Sequence, residues 1–323
     1  MRKPKVYITR SIPEQGLNMI LAACDAQVWP DENPPPHEIL LEKVHGINGL
    51  LCLLNDRIDG EIMDAAGPEL KIISNYAVGY DNIDIEAATK RGILVGNTPG
   101  ILTETTADLA FTLVMAAGRR IVESSDYIRA GKWKTFKPEL LLGQDIYGST
   151  LGIIGMGNIG AAVARRARGF DMRVIYFDLN VQPRKGAIVG AEMRHSIDDL
   201  LAEADFVSLH VPLTTETYHL IDTAALAKMK RTAILVNTSR GQVVDSDALY
   251  EALRSGQIKY AALDVTDPEP LPSDHKLLSL PNCLVVPHIG SASVATRNRM
   301  AVMAAENLIA GVSSGVPPHI VNR

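Results

Sequence analysis

The chain has 323 residues and a formal net charge of −5, with 46% hydrophobic and 21% charged residues. Two domains are expected at this length, and the negative charge argues against a nucleic-acid partner, which would need a basic face. The three cysteines form no C-x-x-C pair, which favours a reduced, cytoplasmic protein, and the apolar stretch at 109–118 is too short to span a membrane.

The first hundred residues alternate short strands and helices. Strands are predicted at residues 5–9, 49–54, 70–75 and 92–95. The helices fall at 13–23, 37–44, 60–66 and 85–91. This alternation is typical of a parallel sheet with helices on both faces. One long helix is then predicted over 103–130, and its apolar positions cover more than one face.

A second run of alternating strands and helices begins at Ser149. It contains six predicted strands, at 150–154, 173–177, 206–209, 233–237, 260–264 and 283–286. Six parallel strands are the size of a complete dinucleotide-binding domain. A helix at 294–310 follows that sheet and is expected to pack on the first domain. The predicted domains are 1–100 plus 291–323, and 101–290, in an α/β fold of two Rossmann-like, doubly wound parallel sheets.

A glycine-rich turn predicts where the dinucleotide binds. Gly155, Gly157 and Gly160 have the spacing G-x-G-x-x-G between an apolar strand and a helix. The first glycine permits the tight turn, the second lets the backbone approach a pyrophosphate, and the third lets helix and strand pack closely. The anion then lies at the helix N-terminus, where Met156, Asn158 and Ile159 complete the predicted contacts.

Asp178 ends the strand after this turn and is expected to bond the ribose hydroxyls. It favours NAD over NADP, because a carboxylate would repel a 2′-phosphate and Leu179 brings no guanidinium. Arg184 and Lys185 lie close enough in sequence to keep NADP as the alternative.

Three charged residues after strands of the second domain predict the reaction. His288 follows a strand and a proline, where α/β sheets place their ligands. Glu269, in a Pro-Glu-Pro turn, could reach that imidazole and favour its protonated form, the general acid needed when hydride reaches a keto carbon. Arg240 has a guanidinium fork suited to a carboxylate. With a nicotinamide, these residues predict reduction of a 2-keto acid to a 2-hydroxy acid, and no metal is expected.

Other strand-end residues are predicted to contact the cofactor. Asp264 could accept a hydrogen bond from the nicotinamide carboxamide, and Val211 and Pro212 would line the nicotinamide or ribose side. His210 and His219 are interpreted as structural. The predicted cofactor contacts are completed by Thr106, Thr217, Thr238, Ser239, Arg240, His288 and Gly290.

Several motifs in one order resemble the D-isomer-specific 2-hydroxyacid dehydrogenases, and within them the glyoxylate and hydroxypyruvate reductases. Besides the glycine turn, they are residues 75–84, 105–110, 237–245, 262–270 and 287–292. The resemblance implies a catalytic triad of Arg240, Glu269 and His288. It also implies that the Val78 and Gly79 backbone binds the substrate carboxylate, that Leu53 lies against the substrate and that Thr106 lies near the cofactor. The family fold implied is two Rossmann-like domains with the active site in the cleft, assembled as a homodimer through the NAD-binding domains.

Two departures qualify the resemblance. The archaeal glyoxylate reductases often have a Ser-Arg pair, which goes with NADP use, where this chain has Asp178 and Leu179, so NADH is expected here. In hydroxypyruvate reductases an aromatic residue from the partner subunit reaches the pocket, and Trp133 and Phe136 are the two candidates.

Other members of the family set the alternatives. Phosphite dehydrogenases share the triad, so phosphite is the alternative substrate. Formate dehydrogenases have a glutamine in place of Glu269, and phosphoglycerate dehydrogenases usually add a regulatory domain. Corepressors of the family also keep the triad, and a non-catalytic NAD-sensing protein is therefore the alternative from another class.

Overall fold

The computed structural model describes residues 2–179, 183–313 and 315–322. For residues 183–185 it describes the backbone but not the side chains. Two compact units are present, Met1–Leu102 with Ala292–Arg323, and Thr103–Ser291. Each is built on one parallel sheet, of five strands in the first unit and seven in the second. The predicted α/β class with two doubly wound sheets is confirmed.

The first unit has the strand order β2-β1-β3-β4-β5. Its elements before the second unit are β1 (Lys5–Ile8), α1 (Glu14–Ala23), β2 (Asp25–Val28), α2 (His37–Lys43), β3 (Gly49–Cys52), α3 (Gly60–Ala66), β4 (Ile72–Asn75), α4 (Ile85–Lys90) and β5 (Leu94–Gly96). The sequence analysis missed β2. This strand lies at the sheet edge and none of its side chains is buried, so it has no apolar run to signal it.

The second unit has the order β12-β11-β10-β9-β6-β7-β8. Its helices are α5 (Thr103–Gly118), α6 (Ile121–Arg129), α7 (Asn158–Arg168), α8 (Pro183–Val189), α9 (Ile197–Glu203), α10 (Thr223–Lys228) and α11 (Ser246–Ser255). Its strands are β6 (Thr150–Ile154), β7 (Arg173–Phe177), β8 (Glu192–Met193), β9 (Phe206–Leu209), β10 (Ile234–Asn237), β11 (Tyr260–Leu263) and β12 (Cys283–Val285). All six predicted strands are present, and the short edge strand β8 is a seventh that the sequence did not signal.

The prediction of one helix over 103–130 is wrong. The chain leaves the helix after α5, and Arg120 takes a left-handed conformation with φ of 52° before α6 begins. The Arg120 guanidinium is bonded to the Glu123 carboxylate and donates to the Leu142 carbonyl. The Gln144 amide also donates to the Gly118 carbonyl at the end of α5, at 2.7 Å. The chain around the break therefore contacts residues distant in sequence, which helical periodicity does not reveal.

The C-terminal helix α12 (Val294–Val312) belongs to the first unit. The Ser74 hydroxyl of β4 donates to the Ala304 carbonyl at 2.8 Å. A Cβ on Gly16 of α1 would collide with the Ala301 backbone, which shows how closely the two helices pack. Among the described helices, α12 included, none combines the length and apolarity needed to cross a membrane.

The second sheet places the carboxyl ends of neighbouring strands in one row. Successive residues of β10 face opposite sides, with Ile234 and Val236 in one hydrophobic cluster and Leu235 in the other, so both faces are buried. The chain order reverses between β6 and β9, and α/β sheets bind ligands at the carboxyl ends of strands at such a point.

Candidate active site

The three glycines of the turn after β6 have different surroundings. Gly155 has φ of 97°, and a Cβ there would lie 2.7 Å from the His210 carbonyl carbon. A Cβ on Gly160 would collide with the Gly155 carbonyl oxygen. At Gly157, by contrast, a Cβ would meet no atom within 4 Å. Two glycines are therefore required by the fold itself, while Gly157 leaves open space beside the N-terminus of α7.

Asp178 is tied to this turn. Its Oδ2 atom accepts a hydrogen bond of 2.7 Å from the Met156 amide. The residue follows β7 directly and is partly exposed. The Asp178 carboxylate is therefore held beside the glycine turn, where the sequence predicted the ribose contact.

His288 and Glu269 are paired. The His288 Nδ1 atom lies 2.6 Å from Glu269 Oε1, and the two side chains are 25% and 29% exposed. Solvent and a small ligand can therefore reach the pair. His288 has φ of 49°, and its amide is bonded to the carbonyls of Asp264 and Val286. The pairing that was inferred from the residue types is present in the structure.

Asp264 holds the backbone around His288. Its Oδ1 accepts from the Ile289 amide at 2.6 Å and its Oδ2 from the Gly290 amide at 2.9 Å. The residue is 2% exposed, and burial raises the pKa of its carboxyl group. A Cβ on Gly290 would lie 3.0 Å from Asp264 Oδ2 and 3.3 Å from Thr106 Cγ2. Sequence reasoning predicted a cofactor contact for Asp264 but missed this positioning of the His288 loop.

Arg240 is set by the segment after β10. The Asn237 side chain donates to the Arg240 carbonyl and accepts from both the amide and the hydroxyl of Ser239. A Cβ on Gly241 would collide with the Thr266 carbonyl. The chain therefore packs closely against Thr266 just after Arg240, whose own guanidinium donates to the Ser239 carbonyl at 2.8 Å.

Four buried side-chain hydroxyl groups have no hydrogen-bond partner in the described part of the chain, and two of these are in the second unit. These two belong to Thr106 and Thr238, which are 4% and 8% exposed. Buried polar atoms are nearly always satisfied, so orphaned ones next to the predicted site fit a polar ligand. Together with the open space at Gly157, they fit a dinucleotide on this edge of the second sheet.

The segment after β9 shapes the edge between the glycine turn and Arg240. The Thr217 hydroxyl donates to the Pro212 carbonyl at 2.7 Å and accepts from the Thr214 amide at 2.7 Å, so it folds the loop after Val211. His210 is partly exposed, but its Nδ1 atom is buried, and desolvation lowers its pKa to about 3. A histidine that stays neutral at ordinary pH does not serve as the general acid, which leaves that role to another residue.

The first unit supplies the predicted substrate contacts Leu53, Val78 and Gly79. All three are partly exposed, and each carbonyl is held by a side-chain amide. Asn82 donates to Leu53, Asn97 to Val78 and Asn75 to Gly79. These asparagines were not predicted.

Five neighbouring strands carry the predicted residues of the second unit. In spatial order, β12, β11, β10, β9 and β6 are followed by His288, Asp264, Arg240, Val211 and Gly155. A dinucleotide turn and a reachable histidine–carboxylate pair on one sheet edge define the class of nicotinamide-dependent dehydrogenases.

Comparison with known proteins agrees with this class. Residues 111–290 match the family model described as D-isomer specific 2-hydroxyacid dehydrogenase, NAD binding domain. Over 322 residues the chain is 55% identical to a glyoxylate reductase of Korarchaeum cryptofilum (strain OPF8), covering 99% of this chain and 96% of that protein. The structure of a glyoxylate reductase from Paecilomyes thermophila is 33% identical, with 99% of both chains covered and a TM-score of 0.87.

A further solved structure concerns the cofactor. It is an NADPH-dependent glyoxylate/hydroxypyruvate reductase from Sinorhizobium meliloti, in complex with NADP and malonate. It is 29% identical, with a TM-score of 0.85 and coverage of 99% of this chain and 97% of that one. The chain belongs to the D-isomer specific 2-hydroxyacid dehydrogenase family and is a nicotinamide-dependent 2-hydroxyacid dehydrogenase, as its resemblance predicted.

Proposed function

We propose that the enzyme uses NADH to reduce glyoxylate or hydroxypyruvate to the D-2-hydroxy acid, with His288 as the general acid. The observation that carries this proposal is the 2.6 Å contact between His288 and Glu269. That pair lies on the same sheet edge as the glycine turn. The glyoxylate reductases among its relatives support the choice of a small 2-keto acid.

The proposed mechanism uses both nitrogens of His288. With the imidazole protonated, Nδ1 donates to Glu269 Oε1 and leaves the Nε2 proton for the keto oxygen. The negative carboxylate stabilises the imidazolium until that proton is given. The bound nicotinamide supplies the hydride that reduces the keto carbon. Asp264 keeps the His288 loop in place through the two adjacent backbone amides.

Carboxylate binding is assigned to Arg240, with the backbone amides of Val78 and Gly79 as further donors. A guanidinium fork binds a carboxylate through two parallel hydrogen bonds, which fixes its orientation as well as its position. Leu53 is proposed to lie against the substrate. A small apolar contact of this kind discriminates weakly between keto acids, so activity on both glyoxylate and hydroxypyruvate is expected.

The preference for NADH rests on Asp178. Its carboxylate accepts a hydrogen bond from the Met156 amide of the glycine turn. In that position it can bond the ribose hydroxyls of NADH but repels the 2′-phosphate of NADPH. The relative from Sinorhizobium meliloti binds NADP, which makes this preference a point for direct measurement. The side chains of Arg184 and Lys185, which kept NADP open, lie outside the described residues.

A substrate and cofactor panel tests the function. We expect rapid loss of NADH absorbance with glyoxylate or hydroxypyruvate, slower loss with NADPH, and no reduction of NAD by phosphite. The Asp178→Asn variant should lower the ratio of kcat/KM for NADH to that for NADPH by about tenfold, because it removes a like-charge repulsion. Asp198→Asn, on the exposed side of α9, is the matched control and should leave the ratio unchanged.

Three outcomes of the panel contradict the proposal. If the unsubstituted enzyme prefers NADPH, the role of Asp178 in cofactor choice is refuted, but the proposed reduction of the keto acid is not. Binding of NAD without turnover of any acid favours the NAD-sensing, corepressor-like alternative, and NAD reduction by phosphite favours a phosphite dehydrogenase.

A homodimer through the second unit is also proposed. No residue of α6 is buried, and the segment 121–147 exposes large apolar side chains. Ile121, Ile128, Trp133, Phe136, Leu142 and Tyr147 are between 56% and 83% exposed. So many exposed large apolar side chains within one segment are typical of a protein interface. The three cysteines of the chain are all unpaired, which supports the reducing cytoplasm as the location of the protein.

Light scattering of the purified protein tests the dimer. Leu142 is 59% exposed, and Leu142→Glu should shift the protein towards the monomer because it places a charge in the apolar surface. Leu278, 47% exposed elsewhere in the same unit, gives the matched control Leu278→Glu, which should stay dimeric. A monomer before substitution refutes the proposal. Alanine variants of Trp133 and Phe136 then show which aromatic residue, if either, affects the KM for hydroxypyruvate.

A further inference from the structure

We propose that Asn97 is a positioning residue for the substrate carboxylate, acting through the peptide that joins Val78 to Gly79. The inference rests on the proposed function, since it concerns the backbone assigned to carboxylate binding. Its starting point is the set of carbonyl contacts in the segment 77–79 of the first unit.

Each carbonyl of this segment is held by a defined donor. The Thr98 amide donates to the Ala77 carbonyl at 2.9 Å, and the Asn97 Nδ2 atom donates to the Val78 carbonyl at 2.8 Å. The Asn75 Nδ2 atom donates to the Gly79 carbonyl at 2.8 Å. The carbonyls are therefore directed towards the protein, where Asn75 and Asn97 are 0% and 7% exposed.

A trans peptide directs its N–H opposite to its C=O. The Ala77 carbonyl therefore sets the direction of the Val78 amide, and the Val78 carbonyl sets that of the Gly79 amide. Neither amide donates a hydrogen bond to any described residue, and both residues are partly exposed. Both amides are therefore available to donate to an anion, and their fixed orientation removes the cost of arranging them when the carboxylate binds.

Asn97 is itself immobilised by the C-terminal part of the chain. Asn307 of α12, fully buried, donates from Nδ2 to the Asn97 carbonyl at 2.9 Å and accepts from the His319 amide at 3.0 Å. The Asn97 amide donates to the His319 carbonyl at 3.3 Å. Gly96 leaves no spare room, because a Cβ there would lie 3.0 Å from Asn307 Cγ. The backbone of Asn97 is therefore held at both its amide and its carbonyl.

A second set of contacts joins this segment to Leu53. Asn75 donates to Asn82 Oδ1 at 3.0 Å, and Asn82 donates to the Leu53 carbonyl at 3.0 Å. The Leu53 amide donates to the buried Asp56, which is paired with Arg10 at 2.6 Å. The two substrate-facing segments of the unit thus belong to one polar network, and Asn97 is the member that acts directly on the Val78–Gly79 peptide.

Steady-state kinetics with glyoxylate and NADH test the proposal in three variants. In Asn97→Asp, an ionised carboxylate would face the Val78 carbonyl in place of a donor, and in Asn97→Ser the donor is too short to reach it. Both should raise the KM for glyoxylate by about tenfold or more, with a smaller change in kcat and an unchanged Kd for NADH. Asn48→Asp is the matched control. Asn48 precedes β3, at the amino ends of the strands, and its replacement can still accept a hydrogen bond from the Lys5 amide. The KM of this control should not change.

The pH profile separates positioning from a general loss of structure. When the new carboxyl group of Asn97→Asp is protonated, it can donate to the Val78 carbonyl again. The KM of this variant relative to the unsubstituted enzyme should therefore fall towards one between pH 8.5 and pH 5.5, about the range over which a buried carboxyl titrates, while the Asn97→Ser ratio stays constant. A KM unchanged in both variants, or a loss of kcat alone, overturns the inference. No keto-acid turnover by the unsubstituted enzyme overturns the proposed function, and the inference with it.

Discussion

His288→Ala is expected to lower kcat for glyoxylate reduction by about 10²–10⁴, the usual contribution of a positioned general acid. The proton that the keto oxygen needs would then have to come from water. The Kd for NADH should change little, because the glycine turn and Asp178 are held by their own contacts. The measurement is stopped-flow reduction of glyoxylate with an NADH fluorescence titration of the same preparation. His195→Ala, an exposed histidine of the same unit, is the control.

Glu269→Gln distinguishes the role of the pair from that of the imidazole alone. Glutamine keeps a hydrogen-bond acceptor near Nδ1 but removes the negative charge that favours the imidazolium. The kcat for glyoxylate should therefore fall while the Kd for NADH stays unchanged. If His288→Ala keeps more than about a tenth of the turnover, the general acid lies elsewhere and the contact with Glu269 is structural.

The sheet edges of this fold were predictable from local sequence. Strands such as β6, β7 and β9 are continuous apolar runs because both faces of a parallel sheet are buried, and the residues after them must lie at one edge. That rule is enough to bring Gly155, Arg240 and His288 onto the same edge. The pairing of His288 with Glu269 followed from residue chemistry and a rigid turn.

The features that the sequence did not reveal depend on contacts between distant residues. The break before α6 lies where Gly118 and Arg120 contact Gln144 and Leu142, which are distant in sequence. The edge strands β2 and β8 have little apolar signal, since their side chains are not packed on both sides. An asparagine such as Asn97 looks like an ordinary turn residue, and only the folded chain shows which carbonyl its amide holds.

The glycine turn yields a second large effect, from a single methyl group. Gly157→Ala should fold with nearly unchanged thermal stability, because its Cβ meets no atom within 4 Å and its φ of −71° suits alanine. That Cβ would occupy the space through which the backbone approaches a pyrophosphate, so the Kd for NADH should rise by about tenfold or more. Gly160→Ala should instead lower the stability by about 1–3 kcal/mol, since its Cβ collides with the Gly155 carbonyl. Calorimetry and NADH titration of both variants separate the two glycines, and unchanged NADH affinity in a folded Gly157→Ala would place the pyrophosphate away from this turn.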